Sequence, residues 1–257
     1  MPKKYRSVPF SMNRRMVAAS AAIGRERNNI HATTEVDITD ARRLIDEHLK
    51  NTGERLSLTA YVVACLSRAV AENPYMNSFR KGRKLILLDD VTISVLVERN
   101  VSGEQVPEPF GIQAAQTKTY KQINDEIRAV QQRVDARLGE LSGMQWFNLI
   151  PGFLLRSFIR IASRSVHMVT RFGAVGVTAV GMFGNDAIWF IPLSGATLTV
   201  TVGGIVKRAA GIGMPFEMKE HLCLTLTFNH DIVDGAPAAR FTKRFSELLR
   251  SGDLIRN

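Results

Sequence analysis

Residues 222–228 place Leu222, Leu224, Leu226 and Phe228 on one side of a period of two and Cys223, Thr225 and Thr227 on the other. This alternation predicts a half-buried strand. Asn229, His230 and Asp231 follow directly, then an Asp234-Gly235 turn, then Ala236, Ala239, Phe241 and Phe245 at helical spacing. A strand feeding a helix through a short turn points to an α/β arrangement, and it leaves a histidine at the strand end. Two readings of His230 fit: a solvated loop histidine, or a base presented to a cleft. The spacing H-x-x-x-D-G arises by chance in only about one or two chains per hundred of this length.

The rest of the chain divides into short elements. Ser11 is the expected N-cap of a helix running to Ile23, and residues 1–10 form a basic arm. A strand is expected from Ala32 to Ile38, and a helix capped by Thr39 or Asp40 runs from there to Lys50. A helix follows from Leu56 to Ala71, started by Ser57 or Thr59 and stopped by Pro74, then a hairpin from Asn77 to Leu88. Strands are expected at Val91 to Val97, Val175 to Val180 and Ala196 to Val202, the last ending at Gly203-Gly204. A helix is expected from Tyr120 to Leu138. No linker or repeat divides residues 11–257, which read as a single domain.

Composition narrows the function classes. The hydrophobic fraction is 45% and the charged fraction 23%, ordinary for a globular protein. The net charge of +10 suits nucleic acid, an anionic membrane surface or a small ligand with several phosphates. No zinc-ligand spacing, helix-turn-helix or aromatic-basic pattern supports nucleic acid, and no metal site is expected. Cys65 and Cys223 both lie in apolar periodic segments and read as reduced core residues. With an N-terminus that lacks the apolar core of a signal peptide, they give a cytoplasmic expectation.

Several of these segments, in order, resemble the catalytic domain of the dihydrolipoamide acyltransferases of 2-oxoacid dehydrogenase complexes. The matching residues are SMNRRMVA from Ser11, the Glu35-Val36-Asp37 strand, GMFG at 181–184, the glycine pair at 203–204, and His230 with Asp234, Gly235 and Ala236 to Phe241. The resemblance implies a chloramphenicol acetyltransferase-like fold, with a two-layer mixed β-sheet, flanking helices and a trimer-forming surface. It implies acyl transfer from a coenzyme A thioester to a thiol, hydroxyl or amine by direct attack. His230 would be the general base, Thr178 the hydroxyl that stabilises the oxyanion, and Asp234 the residue that fixes the histidine loop through Arg14. Asn229 and Gly235 would support that loop. It also implies a homotrimer with the histidine and the hydroxyl donor from different chains, and extends to a larger cubic assembly. Acyl-CoA is the expected substrate, with a lipoyl protein in trans as a second source and no lipoyl group on this chain.

Three segments depart from the family pattern. EQVPEPFG at 104–111 replaces a segment that lines the substrate region in relatives, and Asp231 stands where arginine commonly follows the histidine. Residues 144–171 read as an insertion that carries Phe153, Leu154, Leu155, Phe158 and Ile159 opposite Arg156, Arg160 and Arg164. Its length and arginine content exclude a membrane span. A helix packed on its own core or on a neighbouring subunit, an interfacial helix and a contact with a long acyl chain all stay open. The alternatives to an enzyme are therefore a non-catalytic scaffold of the same fold, or a protein that uses this insertion to bind a membrane surface or a partner.

Overall fold

The computed structural model describes residues 5–101, 104–132, 151–181, 186–210 and 217–256. Met182, Phe183 and Gly184, residues 144–150, and the last turns of the helix expected to reach Leu138 lie outside them. Among the described residues, six strands form one mixed sheet in the order β1 (Asn29–Asp37), β8 (Met218–Asn229), β7 (Leu198–Ala209), β6 (Val175–Ala179), β4 (Ile93–Val101), β5 (Glu104–Ile112). The β4–β6 and β6–β7 pairs are parallel and the others antiparallel. Pro107 and Pro109 cost β5 little because it is an edge strand, with one row of backbone groups outside any ladder. The predicted hairpin forms separately as β2 (Ser78–Lys81) and β3 (Lys84–Leu87).

Period-two alternation gives the sheet two unlike faces. One carries Leu222, Leu224, Leu226, Phe228, Leu198, Val200 and Val175, all within 1% of complete burial. Onto it pack α2 (Thr39–Thr52), α3 (Leu58–Ala71), α4 (Tyr120–Gln131) and α7 (Gly235–Ser251), which share one hydrophobic core with the strands. Phe228 of β8 meets Phe241 of α7 edge to face, with ring centroids 6.0 Å apart. The strand and the helix that follows it are thus locked together by their own side chains.

The helix starts follow from local hydrogen bonding. Ser11 Oγ accepts from the Arg14 amide before α1 (Met12–Arg25), and Ser57 Oγ accepts from the Ala60 amide before α3. At α2 the expected caps are not used. The Asp37 carboxylate accepts from both the Thr39 amide and the Thr39 hydroxyl, so the last residue of β1 caps the following helix. Burial alone would push that carboxyl up, but the Thr39 bonds and Lys219 outweigh it and hold it below its usual range.

The opposite face is lined with hydroxyls. Thr178, Thr201, Thr225 and Thr33 lie on one rung across four strands, and Gly176, Thr199, Thr227 and His31 on the next. This face is also covered. The extended segment 186–196 crosses it, with the Trp189 indole donating to the Thr34 carbonyl and Ser194 Oγ 2.5 Å from Thr199 Oγ1. Beside that segment, α1 packs against α5 (Gly152–Ala162). Arg160 of α5 pairs with Glu26 at the end of α1, so part of the predicted arginine stripe is spent inside the molecule. A short helix α6 (Val166–Phe172) leads from α5 back into β6.

Gly203-Gly204 does not end β7, which continues to Ala209 through a register shift between Val202 and Ile205. The glycines are required by close backbone approach. A Cβ on Gly203 would lie 2.0 Å from the Ile188 carbonyl oxygen, and one on Gly181 would lie 1.6 Å from that of Gly203. The end of β6, the bulge of β7 and the crossing segment are therefore in backbone contact.

Candidate active site

His230 sits where β8 stops, and backbone bonding fixes the loop around it. The His230 amide donates to the Asn28 carbonyl at 2.7 Å, and the Asn229 amide donates to the Thr197 carbonyl at 2.9 Å. The Asn229 carbonyl accepts from both Ile232 and Val233, while its side-chain Oδ1 accepts from the Asp231 amide at 3.1 Å. Asn229 is 2% exposed, so this amide bridge is shielded from water. Asp231 accepts from the Asn28 side chain at 2.9 Å, which ties the residue after the histidine to the segment entering β1. Asp231 also faces Arg27, whose guanidinium is held below its usual range by burial and then by Arg164, with Asp231 pulling the other way.

The imidazole itself is partly open. His230 Nδ1 lies 3.5 Å from Asp234 Oδ1, and the side chains are 45% and 83% exposed. An exposed pair of this kind contributes little stability. A carboxylate beside Nδ1 favours the tautomer with its proton on that nitrogen, which leaves the Nε2 lone pair available. Gly235 opens α7 directly after Asp234, the N-cap residue of that helix.

The structure does not bring Asp234 to Arg14. Arg14 lies in the first turn of α1, and only the far end of that helix leads through Asn28 to His230. Eleven residues of helix separate Arg14 from Arg25, roughly 17 Å of rise, and this keeps the guanidinium away from the histidine loop of its own chain.

Thr178 belongs to a different place. It lines a cavity of about 1000 Å³ on the hydroxyl face of the sheet, together with Ser94, Gly176 and Thr199. One wall is α1, through Met12, Met16, Val17 and Ala21, and another is α5, through Leu154, Leu155 and Phe158. Thr178 reaches the cavity from β6 (Val175–Ala179). From the strand register, Thr178 stands opposite Thr201 and Thr225, five residues before His230 and two strands away. This separates the two residues by on the order of 20 Å. Within one chain the histidine loop and the hydroxyl-bearing cavity therefore do not meet.

The two cysteines are excluded as nucleophiles. Both are buried and free, and burial pushes the Cys65 thiol up to about 12 and the Cys223 thiol upward as well. The cavity walls are what sequence reasoning did not supply. The periodicity of α1 and α5 was readable, but not that the two helices would face each other across Thr178.

Comparison with known proteins agrees with this architecture. The chain is 27% identical to the lipoamide acyltransferase component of the branched-chain alpha-keto acid dehydrogenase complex of Bacillus subtilis, over 96% of its own length. It spans 53%, about half, of that relative. Two solved structures superpose with a TM-score of 0.73 at 18% identity, covering 99% of this chain and 95% of theirs. They are the cubic core of the pyruvate dehydrogenase multienzyme complex and the dihydrolipoamide acetyltransferase of Azotobacter vinelandii. The fold likeness extends to chloramphenicol acetyltransferase, with a TM-score of 0.53 at 12% identity and coverage of 95% of this chain and 99% of that one. The sequence model of the 2-oxoacid dehydrogenases acyltransferase catalytic domain matches residues 2–145 and 169–255 and leaves 146–168 outside the match. A sheet of this order, ending in a histidine loop and matched along most of its length, makes the chain a member of the 2-oxoacid dehydrogenase acyltransferase family, of which it forms the catalytic domain.

Proposed function

We propose that the protein transfers an acyl group from a coenzyme A thioester to a thiol, hydroxyl or amine, in a site completed between two copies of the chain. The observation that carries this reading is the histidine loop. His230 is held by a turn whose backbone groups are bonded, with Asp234 beside Nδ1 and the rest of the ring open. The acceptor X–H gives its proton to His230 Nε2 as X attacks the thioester carbon. The oxyanion of the tetrahedral intermediate accepts a hydrogen bond from Thr178. Collapse breaks the C–S bond, and the leaving thiolate takes the proton from the imidazolium, which returns the base to its starting state.

The separation of Thr178 from His230 supports assigning them to neighbouring copies. That arrangement needs a closed assembly, which we take to be at least a homotrimer, and larger cubic assembly is part of the same proposal. A serine, a histidine and an asparagine are named in the catalytic mechanism of the Azotobacter vinelandii enzyme, the last two four positions apart. Thr178, His230 and Asp234 supply a hydroxyl, an imidazole and a side-chain oxygen in the same chain order. The excess of positive charge suits coenzyme A, which bears several phosphates, as the carrier from which the acyl group arrives; a lipoyl protein in trans is the second carrier in this proposal.

The test is thiol release from acyl-CoAs against candidate acceptors. His230→Ala should lower kcat by about 10² to 10⁴, and Thr178→Ala by about 10² to 10³. Unfolding and refolding the two inactive variants together should restore about a quarter of the activity, because random mixing in a closed ring rebuilds that share of intact sites. Full activity in His230→Ala would remove the mechanism. No recovery on mixing would place both residues in one chain's site, against the geometry above. A scaffold without catalytic function would show no thiol release in any arm.

A further inference from the structure

We infer that the acyl group is an unbranched apolar chain of about eight to twelve carbons, housed in the cavity between α1, α5 and the hydroxyl face of the sheet. This rests on the acyl-transfer reading of Thr178 and names the substrate class for it. A volume of about 1000 Å³ is at the upper end for small-molecule pockets and far beyond what a two-carbon acyl group fills. Its polar lining consists of neutral side chains: Thr178, Ser94 and Thr199 on the sheet, Asn13 and Ser20 on α1, and Ser194 on the crossing segment. The other lining residues are apolar or glycine, and no charged side chain lines the cavity among the described residues. An acyl group ending in a carboxylate would bury an unpaired charge there, whereas a hydrocarbon tail would not.

The dimensions fit a chain of this length. Along α1 the lining runs from Met12 to Ala21, nine residues or roughly 14 Å of helix rise. An extended alkyl chain advances roughly 1.25 Å for each carbon–carbon bond of about 1.5 Å, so about eleven bonds span that trough. Met12 and Met16 are unbranched side chains that adapt to a flexible tail. At the mouth, Val17, Leu154, Phe158 and Leu193 are between 40% and 57% exposed, an apolar rim that an alkyl chain would cover. The wall formed by α5 lies inside residues 146–168, which the family's sequence model does not match. This chain therefore builds that side of its cavity from residues the family pattern does not supply.

The experiment measures both binding and turnover for acetyl-, butyryl-, octanoyl-, dodecanoyl- and hexadecanoyl-CoA, with one acceptor held fixed. Affinity and kcat/KM should rise about fourfold for each methylene up to about ten to twelve carbons and then level off. Ala21→Phe on α1 and Gly176→Val on the cavity floor shorten the trough from two directions. Each should lower the dodecanoyl-to-butyryl ratio of kcat/KM at least tenfold. A profile flat from acetyl to dodecanoyl in binding and turnover overturns the inference while leaving acyl transfer intact. If dodecanoyl-CoA binds with the predicted chain-length dependence and no acyl-CoA is turned over, the cavity assignment stands and the acyl-transfer reading fails. A second copy seated in the cavity would leave both variants with the wild-type chain-length profile and would also overturn it.

Discussion

Replacing Gly181 with alanine would place a Cβ 1.6 Å from the carbonyl oxygen of Gly203, 2.1 Å from its carbonyl carbon and 2.8 Å from the Gly204 nitrogen. Real Cβ contacts do not fall below 3.0 Å, so the turn at Gly181 and the β7 backbone must separate by about 1.4 Å. The atoms in the way are backbone, and no side-chain rotation relieves them. Overpacking of this kind costs about 1–3 kcal/mol, and backbone against backbone belongs at the upper end. For a chain of this size each kcal/mol shifts Tm by about 2–4 °C, so Gly181→Ala should lower it by roughly 6–12 °C. Gly176, on β6 before this turn, is the control. Its Cβ would approach nothing closer than 3.7 Å, so Gly176→Ala should be neutral or stabilise by up to about 1 kcal/mol. Gly181 also lies three residues after Thr178, the proposed oxyanion donor, and on that proposal a displacement near 1 Å there would cost about 10²-fold in rate. Thermal denaturation at one fixed protein concentration, together with kcat for acyl transfer, decides the matter. Two variants with Tm values within 2 °C of each other would refute the backbone-contact argument.

Two further outcomes follow from the hydrogen bonds. Asn229→Ala removes the buried acceptor of the Asp231 amide and should cost about 1–3 kcal/mol; kcat should fall with KM little changed, and Asn229→Asp, which keeps an oxygen there, should recover most of it. On acidification, Glu35 and Glu72 should each lose a stabilising pair. Glu35 is held below the usual carboxylate range chiefly by hydrogen bonds from Arg208 at 2.9 and 2.6 Å, and Glu72 by those from Arg244 at 2.7 and 2.8 Å. A depressed folded value gives stabilisation that is complete above the unfolded value and lost as pH falls through the folded one. Tm should therefore drop below about pH 4.5, and a Glu35→Gln, Glu72→Gln double variant should show a shallower drop over the same range.

Much of the fold was legible because the signals were local. The alternation at Leu222 to Phe228 and the helical spacing of Phe241 and Phe245 each report a buried face, and both faces meet in the structure at Phe228 and Phe241. Ser11 and Ser57 cap the helices expected of them, since capping needs only a hydroxyl three residues before an amide. Expectations that depended on residues distant in sequence fared differently. Gly203-Gly204 resembled a strand end, but the glycines make room for Ile188 and Gly181 while the strand continues. Arg14 matched a motif, but helix rise keeps it from Asp234 within one chain.

The sequence by itself determined the family, the strand and helix pattern, and the identity of the histidine loop, because periodicity and short motifs record which side of each element is buried. Tertiary structure alone decided that Thr178 and His230 lie on the order of 20 Å apart, since the strand register sets that distance and no single segment contains it. It also decided that α1 and α5 close an apolar cavity over Thr178. Which exposed apolar stripe faces which other depends on helix packing, and neither stripe carries that information alone.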